Sequence, residues 1–328
     1  MIAEVARTTR LRGNRARNLL PSKTLGASVV LIILVPLFGV FAGGFLSPHN
    51  LVNIALQSSI LLLIALPMTL VILTEGLDLS SGALLSLCGV VLALLLVAGY
   101  SIPLATLAAM AVGLLFGILN GFCVANLGMP PFVVTLGTLG MAQGLALALA
   151  DGNAVSGLGP EIEAFSAFRF FGLPVLVLIA IAAYGIFHVV LYRTTFGRYV
   201  IAVGGNAEAL RLSGVSVRLV HGAVYAISGA TAGFAALCMI ARTNAGHPTI
   251  ALGMEFDAIA AVVLGGTSFE RGNGWLFGTV LGVLAIGVLR NGLNLIGVDT
   301  SLQLVAIGAL VIAVLLVERL ASDRSASA

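Results

Sequence analysis

Two pairs of acidic residues stand out because they adjoin long apolar stretches. Glu75 and Asp78 lie in Thr74-Glu-Gly-Leu-Asp-Leu-Ser-Ser-Gly82, and Glu255 and Asp257 lie at the start of a later apolar run. Ionisable groups near membrane depth are costly, so such residues are candidates for lining the pathway of a solute. The competing interpretation is that both pairs cap helices at the water interface, where a carboxylate accepts free backbone N–H groups.

Asparagines in two further apolar runs complete the set of candidate pathway residues: Asn120, Asn291 and Asn294. Asn120 lies in Gly117-Ile-Leu-Asn-Gly121, which resembles Gly287-Val-Leu-Arg-Asn-Gly292 around Asn291. Such a similarity between the two halves of a chain is expected for an inverted repeat, an arrangement found in many transporters.

A catalytic site is not predicted. The sequence has no G-x-x-x-x-G-K-[ST] phosphate-binding loop, no H-E-x-x-H motif and no Cys/His cluster with metal-ligand spacing. Its four histidines are scattered, and its three cysteines lie in apolar stretches, which argues against a disulfide framework. We therefore expect no enzyme activity, no metal and no cofactor bound by this chain.

The stretch 193–218 has the most specific local pattern. Asn206 is a suitable N-cap, Glu208 favours a first helical turn, and Gly214 suits the position just after a helix. Together they predict a two-turn helix over Ala207–Ser213. So short a helix is marginal alone in water, and it lacks the long apolar and basic faces of a helix that lies on lipid. A protein partner that holds it is the better explanation.

The elements that position these residues must be membrane helices. Of the 328 residues, 59% are hydrophobic and 9% are charged, and the mean hydropathy is +1.14. This composition excludes a soluble enzyme, a disordered chain and a fibrous protein, and the long apolar runs exclude an outer-membrane barrel of short alternating strands. The prediction is an all-α, polytopic membrane protein. No basic face recurs along the chain, so nucleic acid is not an expected partner.

Apolar runs predict about ten transmembrane helices, since a helix needs about 20 apolar residues to cross the hydrocarbon core. The eighth run is too short to span alone, so it either extends upstream or is part of a broken helix. The runs are Thr24–Phe45, Gln57–Thr74, Ser80–Ala98, Pro103–Ala125, Phe132–Ala150, Leu173–Leu191, Leu219–Ala241, Phe256–Thr267, Trp275–Leu295 and Ser301–Val317.

Lysine and arginine positions predict the orientation, because cytoplasmic segments carry an excess of both. The basic segment 1–23 and the tail 318–328 are expected in the cytoplasm. Counting ten spans between them also places 192–218 in the cytoplasm. The same count leaves Arg169 and Arg242 as the basic residues of the outer face.

Several long motifs, in order along the chain, resemble the integral-membrane permease subunits of ribose-type ABC importers, the branch that serves monosaccharides. The resemblance runs from the first span to the last. The motifs that carry it are Leu70-Val-Ile-Leu-Thr-Glu-Gly-Leu-Asp-Leu-Ser-Ser-Gly82, Pro131-Phe-Val-Val-Thr-Leu-Gly-Thr-Leu-Gly140, Phe196-Gly-Arg-Tyr, Gly204-Gly-Asn-Ala-Glu-Ala-Leu-Arg-Leu-Ser-Gly214, Phe256-Asp-Ala-Ile-Ala-Ala-Val-Val-Leu-Gly-Gly-Thr-Ser268 and Asn291-Gly-Leu-Asn-Leu-Ile-Gly297.

The resemblance implies the architecture of vitamin-B12 and ribose-type importer permeases, with residues 24–317 as the permease domain. It implies two permease copies, as a homodimer or with a sister subunit, in the bacterial inner membrane. A separate cytoplasmic ABC ATPase would bind ATP and Mg. An extracytoplasmic sugar-binding protein would deliver a monosaccharide and set most of the selectivity. We expect the binding protein to dock near residues 151–172 and 242–255 of this chain, where Arg169 and Arg242 would meet acidic residues of the binding protein.

The stretch 193–218 matches the permease pattern E-A-A-x-x-x-G, with Leu210 in place of the second alanine. In the family this pattern marks the coupling helix, which sits in a groove of the ATPase. The expected ATPase-coupling residues are Glu208, Ala209, Arg211 and Gly214. Glu75 is a departure, because the family often has a small residue there. An extra acid could alter substrate preference, or it could merely reach the lipid head groups.

The main alternative is an ion-coupled secondary transporter of a small polar solute. That class of protein favours acidic residues deep inside its spans, whereas the acids here cluster near predicted span ends. A channel or membrane scaffold is a third interpretation, but a channel should show a repeated pore motif or a charged ring, and neither is present in the sequence.

Overall fold

The computed structural model describes residues 25–268 and 272–326, and within these ranges the chain is largely helical. Twelve helices are joined by short connections, with a two-residue antiparallel hairpin between the sixth and the seventh. The elements are α1 (Leu25–Phe41), α2 (Pro48–Leu73), α3 (Ser81–Val97), α4 (Ile102–Ala125), α5 (Pro131–Leu149), α6 (Pro160–Ala167), β1 (Arg169–Phe170), β2 (Leu173–Pro174), α7 (Val175–Arg193), α8 (Thr195–Leu212), α9 (Val217–Thr243), α10 (Met254–Leu264), α11 (Leu276–Leu295) and α12 (Thr300–Ala326).

Each of the ten predicted spans coincides with a helix of the structure, with differences at the ends. The second helix starts at Pro48 rather than Gln57, because Ser47 caps it by accepting the Asn50 backbone N–H at 3.3 Å and proline suits the first helical position. The last helix continues to Ala326, through most of the predicted tail. The predicted basic segment 1–23 lies outside the described residues.

The helices have the length and surface expected of a membrane bundle. Six of the described helices are long and apolar enough to cross a membrane: α2, α4, α5, α7, α9 and α11. Shorter apolar stretches lie in α1, α3 and α12. Large aliphatic side chains such as Ile32, Leu115, Ile186 and Val305 are exposed on the outside of the bundle, as lipid contact requires.

Helix α2 is the centre of the bundle. Every residue from Ser58 to Leu73 is buried, so this part of the helix is surrounded by protein on all sides. A helix that is apolar all round is expected in such a position. Around it pack α7, α9, α10 and α11, which means that a shift of α2 would be felt by several neighbours.

Glycines bring α4 and α9 into backbone contact. Gly113, Gly117 and Gly121 are four residues apart and therefore share one face of α4. A Cβ at any of them would collide with the backbone of α9, and a Cβ at Gly229 or Gly233 would collide with the backbone of α4. Small residues at such spacing are the usual means of close helix packing in membranes. The pair is thus a rigid support for the polar residues it carries.

The eighth predicted span is a half-helix preceded by irregular backbone. Helix α9 ends at Thr243, and the C-cap residue Asn244 has a left-handed conformation with φ of 51°. The chain then runs without regular structure into the bundle, where the Ala251 N–H donates to Ser86 Oγ at 3.1 Å. Helix α10 begins at Met254 and has 11 residues, a length of about 16 Å. Irregular backbone at membrane depth is tolerated because it is buried in protein.

The connection between α5 and α7 contains structure that the sequence analysis did not predict, namely α6 and the β1–β2 hairpin. It packs on the end of α9. Val155 pairs with Gly246 as an isolated antiparallel bridge, and Asn244 Nδ2 donates to Glu163 Oε1 at 2.8 Å. These contacts fix the segment that leads into the half-helix α10.

Candidate translocation pathway and coupling segment

The Asp78 carboxylate is buried in a closed set of hydrogen bonds. Its Oδ1 accepts from the Ser80 backbone N–H at 3.0 Å and from Ser80 Oγ at 2.6 Å. Its Oδ2 accepts from Ser228 Oγ on α9 at 2.6 Å. Both oxygens are therefore satisfied. Ser80 is the N-cap residue of α3 but makes no side-chain cap hydrogen bond. The backbone N–H that Asp78 accepts is that of Ser80 rather than one within the helix, so the competing interpretation of Asp78 as an ordinary helix cap does not hold.

Asn120 extends this set to two more helices. Its Nδ2 donates to Ser80 Oγ at 3.0 Å, and its Oδ1 accepts from Thr138 Oγ1 of α5 at 2.7 Å. Tyr225 of α9 donates to the Leu77 carbonyl at 3.2 Å. We call Asp78, Ser80, Asn120, Thr138 and Ser228 the Asp78 network. It ties the α2–α3 loop to α4, α5 and α9.

Glu75 stands apart from this network. It is exposed and has a left-handed φ of 60°, a conformation that is uncommon for a residue with a side chain. It lies in the same α2–α3 loop as Asp78. The two acids of this predicted pair therefore have opposite environments.

The second acidic pair is also divided. Both carboxylate oxygens of Glu255 accept from the Gly253 backbone N–H at 3.1 Å, and the side chain is buried against Gly82. Asp257 instead forms an ion pair with the neighbouring helix α11, where Arg290 Nη2 lies 2.6 Å from its Oδ2. The Asp257 side chain is 4% exposed and that of Arg290 is 30% exposed.

This ion pair lies in the wall of a cavity of about 500 Å³. Helices α2, α9, α10, α11 and α12 all contribute to the wall. Of the predicted pathway residues, the lining includes Asp257 and Asn294, whereas Glu75, Asp78, Asn120, Glu255 and Asn291 do not contribute to it. The lining residues with polar or charged side chains are Gln57, Ser58, Arg242, Thr243, Asp257, Arg290, Asn294, Thr300 and Gln303.

Asn291 does not line the cavity and pairs with another asparagine, Asn50. Asn50 Nδ2 donates to Asn291 Oδ1 at 2.8 Å, and Asn291 Nδ2 donates to Asn50 Oδ1 at 2.9 Å. This reciprocal pair joins the first turn of α2 to α11 close to the cavity wall. It is buried, and it fixes the relative position of two helices that line the cavity.

The two outer basic residues occupy different places. Arg169 is exposed on β1, whereas Arg242 is near the end of α9 and lines the cavity. In the described ranges neither of them forms an ion pair. Arg169 is thus available to a partner on the surface, and Arg242 contributes positive charge to the cavity.

The predicted short helix is present and is separated from the preceding one by a kink. Asn206 has extended backbone within α8, and its Oδ1 accepts from the Ala209 N–H at 2.9 Å. The helix that follows ends at Leu212, one residue before the predicted end, and Gly214 has a φ of 84°. Residues 195–205 form another helix, which the sequence analysis did not predict.

Glu208 and Arg211 form an exposed, two-contact ion pair on this short helix. Arg211 Nε lies 2.8 Å from Glu208 Oε2, and Nη2 lies 2.5 Å from Oε1. The hydrogen bonds from Arg211 lower the pKa of the Glu208 carboxyl, and the same contacts raise the pKa of Arg211. We call residues 206–214 the coupling segment.

Sequence reasoning missed several residues of these sites. Arg290 lies inside the predicted span Trp275–Leu295, and a cation at that depth needs a counter-ion, but the sequence does not indicate which residue supplies it. Ser58 and Ser228 gave no signal, since single serines are common in membrane helices, and Asn50 lies before the predicted start of its span at Gln57. What brings them together is packing between helices that are far apart in the sequence.

The bundle, the polar cavity inside it and the exposed coupling segment define a polytopic helical transport protein of the membrane. Residues 50–315 match the family described as branched-chain amino acid transport system / permease component. The chain belongs to this family. No solved structure matches it.

Several characterised permeases are similar over most of their length. The ribose import permease protein of Bacillus subtilis is 40% identical over 297 residues, covering 90% of this chain and 92% of the relative. The D-allose transport system permease protein of Escherichia coli is 38% identical over 299 residues, with 90% and 92% covered. The galactose/methyl galactoside import permease protein of Salmonella typhimurium is 35% identical over 306 residues, with 88% and 91% covered.

Proposed function

We propose that this chain is the membrane-spanning permease subunit of an ABC importer that carries a monosaccharide across the bacterial inner membrane. The observation that carries this proposal is the similarity, over about nine-tenths of the chain, to permeases named for the import of ribose, allose and galactose. These three sugars differ in ring substitution but share a neutral, polyhydroxylated surface. The substrate class is therefore a monosaccharide.

The cavity between α2 and α9–α12 is the proposed place of passage. Its volume of about 500 Å³ is within the range of about 300–1,000 Å³ that suits small-molecule ligands. Its described lining contains two arginines and one aspartate, so its formal charge is positive. Positive charge opposes the entry of a proton or metal cation, which disfavours the alternative of an ion-coupled secondary transporter.

The coupling segment is the proposed contact with the ATPase, which would bind ATP and Mg. A path from this segment to the cavity runs through α8 and α2. Gly204 of α8 packs closely against the Leu73 carbonyl at the end of α2, and Ser58 and Leu61 of the same helix line the cavity. Because α2 is buried throughout this stretch, a push on one end would be transmitted to the cavity wall.

The remaining partners follow from the same proposal. A sugar-binding protein would dock on the face that carries Arg169 and the α5–α7 connection, opposite the coupling segment. A second permease copy, identical or a sister subunit, would complete the complex. Both chain ends would be cytoplasmic. A reporter active only outside the cytoplasm should stay silent when fused to Ala328, and activity there would contradict this orientation.

The function is tested by uptake into vesicles that contain this chain, the ATPase and the binding protein of the same gene cluster. We expect ATP-dependent uptake of D-ribose, D-allose or D-galactose. Uptake that continues without the ATPase and stops on collapse of the proton gradient would instead support the ion-coupled alternative. Absence of uptake of all three sugars would contradict the substrate class.

A further inference from the structure

Three residues that line the cavity each carry one buried polar atom without a hydrogen-bond partner among the described residues: Ser58 Oγ, Asp257 Oδ1 and Arg290 Nε. They belong to three different helices, α2, α10 and α11, and all three residues line the same cavity. Buried polar groups in native proteins are nearly always satisfied, so each exception needs an explanation. A cluster of exceptions around one cavity indicates a ligand.

The Asp257–Arg290 pair differs from an ion pair that only stabilises the fold. The guanidinium group can bind a carboxylate with two parallel hydrogen bonds, and this is its preferred arrangement. Here only Nη2 contacts Oδ2, which leaves Nε as a free donor and Oδ1 as a free acceptor. By contrast, both oxygens of Asp78 have protein donors. The Asp257–Arg290 pair therefore has one free donor and one free acceptor, whereas both oxygens of Asp78 already accept hydrogen bonds.

The position of Ser58 is also fixed by its surroundings. A Cβ on residue 287 would collide with Ser58 Oγ, so the glycine found there lets α11 approach the Ser58 hydroxyl of α2 closely, and both residues line the cavity. The neighbouring Ser59 is different, since its Oγ donates to the Ala55 carbonyl at 2.7 Å and it does not line the cavity. The free hydroxyl is thus specific to Ser58.

The chemistry of the three atoms selects a class of ligand. Arg290 Nε donates, Asp257 Oδ1 accepts, and Ser58 Oγ does either. A sugar hydroxyl both donates and accepts, so neighbouring hydroxyls of one ring match this set. A carboxylate or phosphate could accept from Arg290 Nε but would leave Asp257 Oδ1 without a donor, and a metal cation would leave Arg290 Nε without an acceptor.

We propose that Ser58, Asp257 and Arg290 form a hydroxyl-recognition subsite through which the permease itself discriminates between monosaccharides. This inference rests on the proposed function and goes beyond it, because selectivity would otherwise come mostly from the binding protein. Residues that hydrogen-bond a hydroxyl reject an analogue that lacks it, since buried polar groups are then left unpaired.

The test compares Ser58→Ala with the matched control Ser59→Ala in the vesicle uptake assay, using D-ribose, D-allose, D-galactose and their monodeoxy analogues. With wild-type protein, one or more deoxy positions should raise KM relative to the parent sugar. Ser58→Ala should raise KM for the parent sugar about five-fold and should not raise it for the analogue that lacks the recognised hydroxyl. Ser59→Ala should leave both values unchanged.

Asp257→Asn provides a second measurement. In that variant, removal of a different sugar hydroxyl should no longer raise KM. Equal losses for every sugar and every analogue in both variants would show that these residues only support the fold, and would overturn the subsite. If Asp257→Asn does not fold, the two serine variants decide alone. Absence of sugar uptake by the wild type would overturn the proposed function together with the subsite, whereas normal uptake with unchanged discrimination overturns the subsite alone.

Discussion

Asp78 and Asp257 look alike in the sequence and differ in the structure. Each follows a glycine-containing turn, lies at or just before the first turn of an apolar helix and is almost fully buried. Asp78 receives hydrogen bonds from two serines and a backbone N–H, and it does not line the cavity. Asp257 has one ion-pair contact, a free oxygen and a cavity beside it. Burial of an acid therefore does not by itself distinguish a pathway residue, whereas free hydrogen-bonding groups on residues beside a cavity are the reason to propose one.

The two arrangements have different energetic consequences. A fully satisfied buried network rigidifies the surrounding helices and specifies their positions. A partly satisfied one costs stability, and such costs are retained mainly at functional sites. We therefore expect the Asp78 network to support the packing of the bundle and the Asp257–Arg290 pair to serve the proposed passage of the solute.

The largest effect is expected from Arg290→Ala. It removes the partner of a buried carboxylate, and an unpaired buried charge costs about 3–5 kcal/mol. The folded fraction in detergent should fall, and its thermal unfolding should occur at lower temperature. The double variant Arg290→Ala/Asp257→Ala should recover part of this loss, because it removes the stranded charge. A double variant no more stable than Arg290→Ala would contradict an ion pair between these residues.

A smaller loss is expected from Asp78→Asn. The substitution keeps the shape but replaces one accepting oxygen with an NH₂ group, so Ser80 or Ser228 loses its acceptor. Unsatisfied buried groups cost about 1–3 kcal/mol each. Stability should fall by that amount, while uptake per folded molecule and the choice among sugars should stay as in the wild type. Ser228→Ala, which removes one contact of the same network, should lower stability in the same direction.

A change of sugar preference in Asp78→Asn would contradict this division of roles between Asp78 and Asp257, because it would place Asp78 in the passage of the solute. Asp257→Asn should show the opposite pattern, with altered preference and a smaller change in stability than Arg290→Ala. Measuring uptake ratios and unfolding temperatures on the same preparations separates the two roles.

Much of the architecture was predictable, because membrane helices are read from composition over about 20 residues. The coupling segment was predictable for a similar reason, since Asn206, Glu208 and Gly214 act on backbone within a few residues. Their roles as cap, first-turn acid and positive-φ residue depend on local sequence alone.

The difference between Asp78 and Asp257 was not predictable, because it depends on distant partners. Ser228 is 150 positions from Asp78 along the chain, and Arg290 lies on another helix than Asp257. Nothing local indicates which residue a neighbouring helix will present. The start of α2, the helix over residues 195–205 and the α5–α7 connection were missed because they combine apolar and polar residues without a clear period.

The coupling segment is exposed, unlike the two buried acids. Gly214→Asp tests its proposed contact with the ATPase. Gly214 has a φ of 84°, where a side chain costs about 1 kcal/mol or more. An aspartate side chain at this position would also obstruct the proposed close approach of the ATPase. The variant should insert and fold, but the stimulation of ATPase activity by loaded binding protein should be lost.

Gly205→Asp is the matched control for this prediction. It introduces the same charge one residue before Asn206, at an exposed position without a positive φ and with free space around the added Cβ. Stimulation should persist in this variant. Full stimulation and normal uptake in Gly214→Asp would show that the coupling segment does not transmit the ATPase cycle.

The smallest effect is expected at Glu208, the acid that is neither buried nor beside the cavity. Its pKa is lowered by the hydrogen bonds from Arg211. The ion pair therefore stabilises the helix fully at pH values above the usual carboxyl pKa. This stabilisation is lost as the pH falls through the lowered pKa. Arg211 stays charged throughout. Amide-exchange protection of residues 207–212, corrected for intrinsic rates, should therefore fall about two-fold on acidification. Glu208→Gln should remove this dependence, while Glu163→Gln, on the distant helix α6, should keep it. A pH dependence that persists in Glu208→Gln would assign the titration to another group and leave the helix to be held by its Asn206 cap and by its partner.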